Sequence, residues 1–345
     1  MEQKSKEMKI DYNEVQEKLL QKVKEKTDQK LVDVLSNVLN ISDDSSYRRI
    51  RKEKLLTLDE IIIICTKFNI SFDETISDST NNLVAFSFNF KDSNYDFTEY
   101  LNTVINQLNR IKKEDGTMYY SAKDIPIFHF FQCKELTAFK VYYWLKTMSN
   151  NKTELTNSKF SFNMIPAGIQ SVTKQIYTSY AQVKSHEIWN YETVHSTINQ
   201  IIYYKDLIYI TTEQALILLN KLDELLRHLQ EEIENEYKYH IGNKSVGDKP
   251  NFKFYFNEII TADNSIYAEY GDIKESFKPH IVLNYMTTNN VKYCEYTKSI
   301  FEGVIQKSTL ISGVNEKDRK IFFNYNYKKI RRAIQKIELE LEDEY

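Results

Sequence analysis

A chain of 345 residues with 41% hydrophobic and 28% charged side chains can bury a sizeable core, which excludes wholesale disorder. Its formal net charge of −3 excludes a protein that meets nucleic acid over its whole surface, so any polyanion must be met by a local patch. Seven glycines and four prolines are too few for a turn-rich all-β fold and suit long helices joined by short connections.

In chain order, residues 1–11 read as a polar tail. Tyr12, Val15, Leu19 and Val23 form a helical stripe, and Leu31, Val34, Leu35 and Val38 form a second. The segment Asn40-Ile41-Ser42-Asp43 breaks the pattern. Ser42 or Asp43 can cap a short helix running to about Glu53. On a helical wheel Tyr47 and Ile50 are expected inward, with Ser45, Arg49 and Lys52 opposite them and Arg48 on the flank. Thr57-Leu58-Asp59-Glu60 is a capping box before an apolar run expected to end near Asn69, and Ser71-Phe72-Asp73-Glu74 repeats the spacing. Residues 77–82, small and polar, mark a linker, so the expected organisation is 12–76, then 83–345.

Beyond it, Val84, Phe86, Phe88 and Phe90 alternate as in a strand. Helices are expected over Tyr95 to Lys113 and Glu135 to Met148, with a turn at Ile125-Pro126 and a polar loop over 149–159. Residues 167–209 read as helix, interrupted near 182–185 and 204–206. Thr211 with Gln214 caps a long helix over about 212–237. Its apolar seam, including Leu219, Leu222, Leu226 and Leu229, has coiled-coil spacing and is a candidate dimer contact. Gly242 to Pro250 is a loop. Phe252, Phe254 and Phe256 alternate, and with Ile266 to Tyr270 they suggest a β-hairpin. Helices over 291–305 and 315–342 complete the chain.

Residues 28–76 resemble the helix-turn-helix of the lambda-repressor-like regulators, the Xre family. The resemblance is carried by Gln29, the Leu31–Val38 stripe, Ile41-Ser42, Tyr47-Arg48-Arg49-Ile50-Arg51, Thr57-Leu58-Asp59-Glu60 and Phe68-Asn69-Ile70-Ser71. The glycine usual before the family's turn is absent, and Val38-Leu39-Asn40 stands there. The resemblance implies a five-helix DNA-binding domain; the patterns after residue 83 add a larger α+β domain, in a mostly α protein with some β. The resemblance also implies a sequence-specific transcription regulator of bacterial type, bound to double-stranded DNA as a homodimer on two half-sites. Ser45, Arg48, Arg49 and Lys52 are then candidates for base edges, and Gln29, Arg51 and Lys54 for phosphates.

Elsewhere little points to chemistry. Cys65, Cys133 and Cys294 are too far apart for a zinc ribbon or a disulfide framework. The six histidines form no metal-binding pattern, and no glycine-rich phosphate loop or nucleophile elbow occurs. The expectation is therefore no catalytic residue, no metal and no cofactor. The run Lys123 to Phe131 is either the lining of a ligand pocket or core with a polar rim. The large domain is expected to dimerise and to sense a small-molecule or protein effector. The rival reading is an enzyme or defence effector that the N-terminal module only targets or autoregulates. Cysteine usage, the lack of a long apolar run and a polar N-terminus suggest a cytoplasmic protein without a membrane partner.

Overall fold

The computed structural model of the chain describes residues 11–77, 84–88, 97–148, 159–243, 249–259, 263–280 and 284–342. Residues 1–10 of the expected tail, most of the linker, Phe90 at the end of the first alternation, residues 149–158 of the polar loop and residues 244–248 of the loop before Phe252 lie outside them. The chain is mixed α/β and divides into two compact units, residues 1–86 with 290–293, and residues 87–289 with 294–345.

In the first unit, α1 (Tyr12–Glu25), α2 (Leu31–Leu39), α3 (Asp43–Ile50), α4 (Leu58–Phe68) and α5 (Phe72–Ser77) follow one another. They meet around Leu19, Leu20, Val23, Val34, Leu35, Leu56, Ile64 and Ile70. One device is used twice. Asn40 ends α2 and Asn69 ends α4, each in the left-handed region, at φ 52° and 49°. The next residue folds its N–H back, Ile41 to Ser36 O at 3.1 Å and Ile70 to Cys65 O at 2.9 Å. The serine after that opens the following helix. Asparagine tolerates this conformation better than most residues, so Asn40 serves where a glycine would be usual.

The second unit is built on an eight-stranded sheet: β1 (Ser87–Phe88), β2 (Thr117–Ala122), β3 (Lys184–Trp189), β4 (Phe252–Phe256), β5 (Ser265–Tyr270), β6 (Ile273–His280), β7 (Asn284–Thr288) and β8 (Thr309–Leu310), in the order β1-β7-β6-β5-β2-β3-β4-β8. β2, β3 and β4 are mutually parallel, and every other pairing is antiparallel. Parallel neighbours need crossovers, which helices supply. Between β2 and β3 run α7 (Ile127–Phe130), α8 (Lys134–Met148) and α9 (Ala167–Tyr180). Between β3 and β4 run α10 (Tyr191–Asp206) and α11 (Thr212–Asn235). α6 (Phe97–Lys113) precedes β2, and α12 (Val291–Gln306) and α13 (Glu316–Glu342) flank β8.

Alternation along the strands sorts side chains between two faces. Met118, Tyr120, Ala122, Trp189, Phe252 and Phe254 enter the main core with the helices. Ile188, Tyr255 and Tyr267 point the other way, where Cys294 and Phe301 of α12 cover them. Gly116 enters β2 against Tyr270: an added Cβ there would sit 2.5 Å from Tyr270 Cβ and 2.6 Å from Glu269 O. Among the described residues no helix is long and apolar enough to cross a membrane.

Three expectations are corrected here. The stretch over 167–209 is not interrupted helix, because β3 occupies its break. Its inward positions are Ser185, Glu187 and Trp189, and two polar residues on the buried face erase the apolar alternation that marks a strand. β4 and β5 do not form a hairpin: β4 lies between β3 and β8, and β5 between β2 and β6. Alternation shows which residues share a face and says nothing about the neighbouring strand. The seam Leu219, Leu222, Leu226 and Leu229 is no free dimer surface. All four side chains lie fully within the main core, so the same apolar spacing serves packing inside one chain.

Candidate nucleic-acid interface

α3 begins at Ser42, whose hydroxyl oxygen accepts from Ser45 N at 3.3 Å, and it ends where Lys52 turns left-handed at φ 64°. Two inward contacts set its orientation. Arg49 has a side chain only 4% exposed and forms a two-pronged ion pair with Glu60 of α4, Nε to Oε2 at 2.9 Å and Nη2 to Oε1. Its Nη1 donates to Ser45 O at 2.9 Å. Glu60 also accepts from Thr57 N at 3.1 Å, so one carboxylate caps α4 and anchors α3. Burial would raise the Glu60 carboxyl, but hydrogen bonds from Arg49 and the Thr57 backbone outweigh it and hold the group below its ordinary range.

The second contact is Gln16, buried on α1. Its Nε2 donates to Arg49 O at 2.8 Å and to Lys54 O at 3.1 Å, and its Oε1 accepts from Leu56 N at 2.6 Å. One amide thus satisfies the end of α3 and the loop leading to α4. A glutamine on the buried stripe of α1, three residues before Leu19 and four before Leu20, is the signal that could have identified it.

The expected wheel is therefore rotated. Ser46 and Arg49 face inward, Ile50 is half-buried and Tyr47 is exposed, opposite to the expectation for Tyr47 and Arg49. The reason is energetic: an arginine can be buried where a carboxylate matches its fork, and Glu60 does so from another helix. Arg49 is thus withdrawn from base-edge contact. Outward are Arg48 and Arg51, with side chains 55% and 66% exposed. The Arg51 guanidinium lies 5.5 Å from the Tyr47 ring centroid. Lys52 is exposed and pairs with Glu17 at 2.5 Å, and Lys54 and Gln29 are exposed. Ser45 is half-buried, with its hydroxyl accepting from Ser42 Oγ at 3.1 Å. Asp43 and Asp44 occupy the N-terminal turn of α3, where the helix dipole favours carboxylates. The outward cations consequently gather at the C-terminal end of α3 and in the turn after it.

The large unit holds a separate polar network. Glu187, fully buried on β3, accepts from His129 Nε2 at 2.9 Å, from the Tyr180 hydroxyl and from Trp189 Nε1 at 2.7 Å. Lys238 lies beside it and donates to Val183 O at 2.6 Å and Ser185 Oγ at 2.5 Å, with Nζ 4.4 Å from the Tyr180 ring centroid. Glu232 accepts from the Tyr177 hydroxyl and from Tyr239 N at 2.8 Å. Burial opposes the Glu187 charge, but His129, Tyr180 and Lys238 lower its pKa below the ordinary value. Burial depresses the Lys238 ammonium to about 7, against the pull of Glu187 and Glu232. A second buried cation, Lys140, donates to Asp124 at 2.9 Å and Gln200 at 2.7 Å, while Thr197 donates to the other Asp124 oxygen at 2.9 Å.

Glu187, His129, Lys140 and Lys238 are buried, while Asp124 is partly exposed. The run over Lys123 to Phe131 is core with a polar rim: Phe128, Phe130 and Phe131 pack in the main core, and half-buried Asp124 stands at its edge. A groove of about 540 Å³ opens beside Lys238, lined by Thr178, Gln182, Tyr237, Tyr239, His240 and Asn243 among others. Among the described residues no group of three or more His, Cys, Asp or Glu side chains is placed to hold a metal ion. Comparison with protein-family models, with curated proteins and with solved structures finds no match to this chain.

Proposed function

We propose that residues 12–77 form a lambda-repressor-like DNA-binding domain and that the chain is a sequence-specific regulator of transcription. In this reading α3 enters the major groove. Arg48 reaches base edges, where its planar fork matches guanine O6 and N7, and Arg51, Lys52, Lys54 and Gln29 meet phosphates. Two copies occupy two half-sites about one helical turn apart. The large unit supplies dimerisation and effector sensing, and the groove beside Lys238 is the place for a small effector. The observation that carries the reading is the rigid seating of α3: Arg49, Glu60 and Gln16 hold its inner side, so the outward cations stand on a fixed support rather than a loose loop.

The test is selection of binding sites from random duplex DNA, followed by titration of the selected site. A palindromic motif is expected, and Arg48→Ala is expected to cost roughly 1–3 kcal/mol there with relaxed preference at one position. Failure to enrich any motif would overturn the reading. The rival enzyme reading would need the Glu187 network to meet a substrate, and the full burial of Glu187 and His129 weighs against that.

A further inference from the structure

α13 carries a charge pattern that the N-terminal module does not account for. Between Asp318 and Glu338 it contains Arg319, Lys320, Lys328, Lys329, Arg331, Arg332 and Lys336, and no carboxylate. Its inner face is committed to the core of the large unit through Phe322, Phe323, Tyr327, Ile330, Ala333 and Ile337. Arg319 belongs to that side, with Nη1 donating to Ile311 O at 3.1 Å and Gly313 O at 2.6 Å. Asn324, Lys328, Arg331, Arg332, Gln335 and Lys336 are exposed, at spacings of three and four that place them on one outward face.

Most of these cations are not neutralised. Lys328, Arg331 and Arg332 make no ion pair among the described residues. Lys336 stands 3.8 Å from Glu340 with its own side chain 68% exposed. Lys329, half-buried, lies with Nζ 5.4 Å from the Tyr325 ring centroid, and Tyr325 packs on Tyr191 at 4.1 Å. From Asn324 to Lys336 the stripe is about 18 Å long at 1.5 Å per residue, the rise of roughly five base pairs.

We propose that the outward face of α13 is a second phosphate-binding surface of this protein, and that its partner is the backbone of duplex DNA. Four clustered cations on a near-neutral chain create a local field that attracts a polyanion. Arg331 and Arg332 present planar forks that pair bidentately with phosphate, and Asn324 and Gln335 add neutral donors to phosphate or sugar oxygens. A membrane surface is the poorer match. A helix that binds lipid must sink its apolar face into the bilayer, and the apolar face of α13 is already buried. The surface lies on the large unit and does not depend on the assignment of α3. It reads no bases, so its contribution is independent of sequence.

The experiment measures binding of the full chain to a labelled duplex of random sequence across a range of salt concentrations. Lys328→Ala, Arg331→Ala, Arg332→Ala and Lys336→Ala are combined in one variant, and Arg48→Ala with Arg51→Ala in another. The α13 variant is expected to lose about tenfold or more in affinity, and its plot of log affinity against log salt is expected to flatten by up to about 3.6, since each of four lost phosphate contacts removes roughly 0.9 from the slope. Lys328→Arg with Lys336→Arg keeps the charge and is expected to bind as the parent does. A footprint on the unaltered protein guards against misfolding: the amines of Lys328 and Lys336 should be shielded from acetylation by the duplex. An unchanged affinity and slope in a folded α13 variant, or unshielded amines, overturns the proposal. So does binding to anionic phosphatidylserine vesicles that depends on these residues while duplex binding does not. If only the Arg48 and Arg51 variant weakens binding, the α13 surface is refuted and the reading of the N-terminal module stands.

Discussion

The N-terminal module and the large unit each bury an ionic hub, and they choose different cations for it. The module uses Arg49, held by both oxygens of Glu60. The large unit uses Lys238, beside Glu187 and Glu232 and capped by the Tyr180 and Phe252 rings. A guanidinium stays protonated throughout the range in which proteins fold, whereas an ammonium gives up its proton when burial makes the charge expensive. The small hub is thus a permanent brace that fixes the orientation of α3. The large hub can change charge near neutrality.

The comparison can be broken in several ways, the largest first. Glu187→Leu leaves His129 and Lys238 without their carboxylate and removes the acceptor for Tyr180 and Trp189. It is expected to cost the large unit roughly 3–5 kcal/mol, measured by denaturant unfolding, and a loss below about 1 kcal/mol would show that the hub carries little weight. Arg49→Met should cost the module about 3 kcal/mol by stranding Glu60, seen as faster amide exchange over residues 12–77 with the large unit unaffected. If specific DNA binding falls while exchange stays the same, Arg49 reaches the DNA after all. Gln16→Leu removes three hydrogen bonds and leaves the Leu56 N–H unpaired, for roughly 1–3 kcal/mol, with the same exchange readout confined to the module.

The pH response sharpens the contrast. Lys238 has a folded pKa of about 7 against an ordinary 10.5, so between those values the unfolded chain binds the extra proton and stability of the large unit rises with pH. Lys238→Met should reduce that rise, leaving the share of Lys140, which burial also depresses, and the module should show no counterpart. Glu60 and Glu187 have depressed pKa values, so both hubs contribute fully above about 4.5 and weaken as pH falls through the lowered folded values. Unfolding curves for the two units over pH 3 to 10, separated by amide exchange, would check both signs. The smallest effect on stability belongs to Arg48→Ala with Arg51→Ala, expected within about 0.5 kcal/mol because both side chains are exposed.

Local chemistry is legible in this chain wherever one element decides it alone. Thr211 with Gln214 predicts a capping box, and the helix after it runs Thr212–Asn235 with Thr211 Oγ1 accepting from Gln214 N at 3.1 Å. Ser42 caps α3 for the same reason. β3 was hidden because Ser185 and Glu187 occupy its buried face, and their partners come from α7, α9 and the segment after α11. The orientation of α3 is not legible locally, because Arg49 has the pattern of a surface residue and its partner Glu60 lies eleven positions away. The burial of Lys238 is hard to read from the sequence, since the acceptors of its ammonium lie more than fifty positions away.

By itself the sequence determined the capped helix starts at Ser42, Thr57 and Thr211, the helix stops near Asn40 and Asn69 and the cationic composition of α3 and α13, because caps, turns and charge are properties of a few adjacent residues. Which arginine faces inward, which strands lie side by side and whether the leucine seam of α11 serves this chain or another were decided only by the tertiary structure. Each of those depends on a partner supplied from a distant part of the chain, and burial gives a charge or an apolar edge its meaning only once that partner is in place.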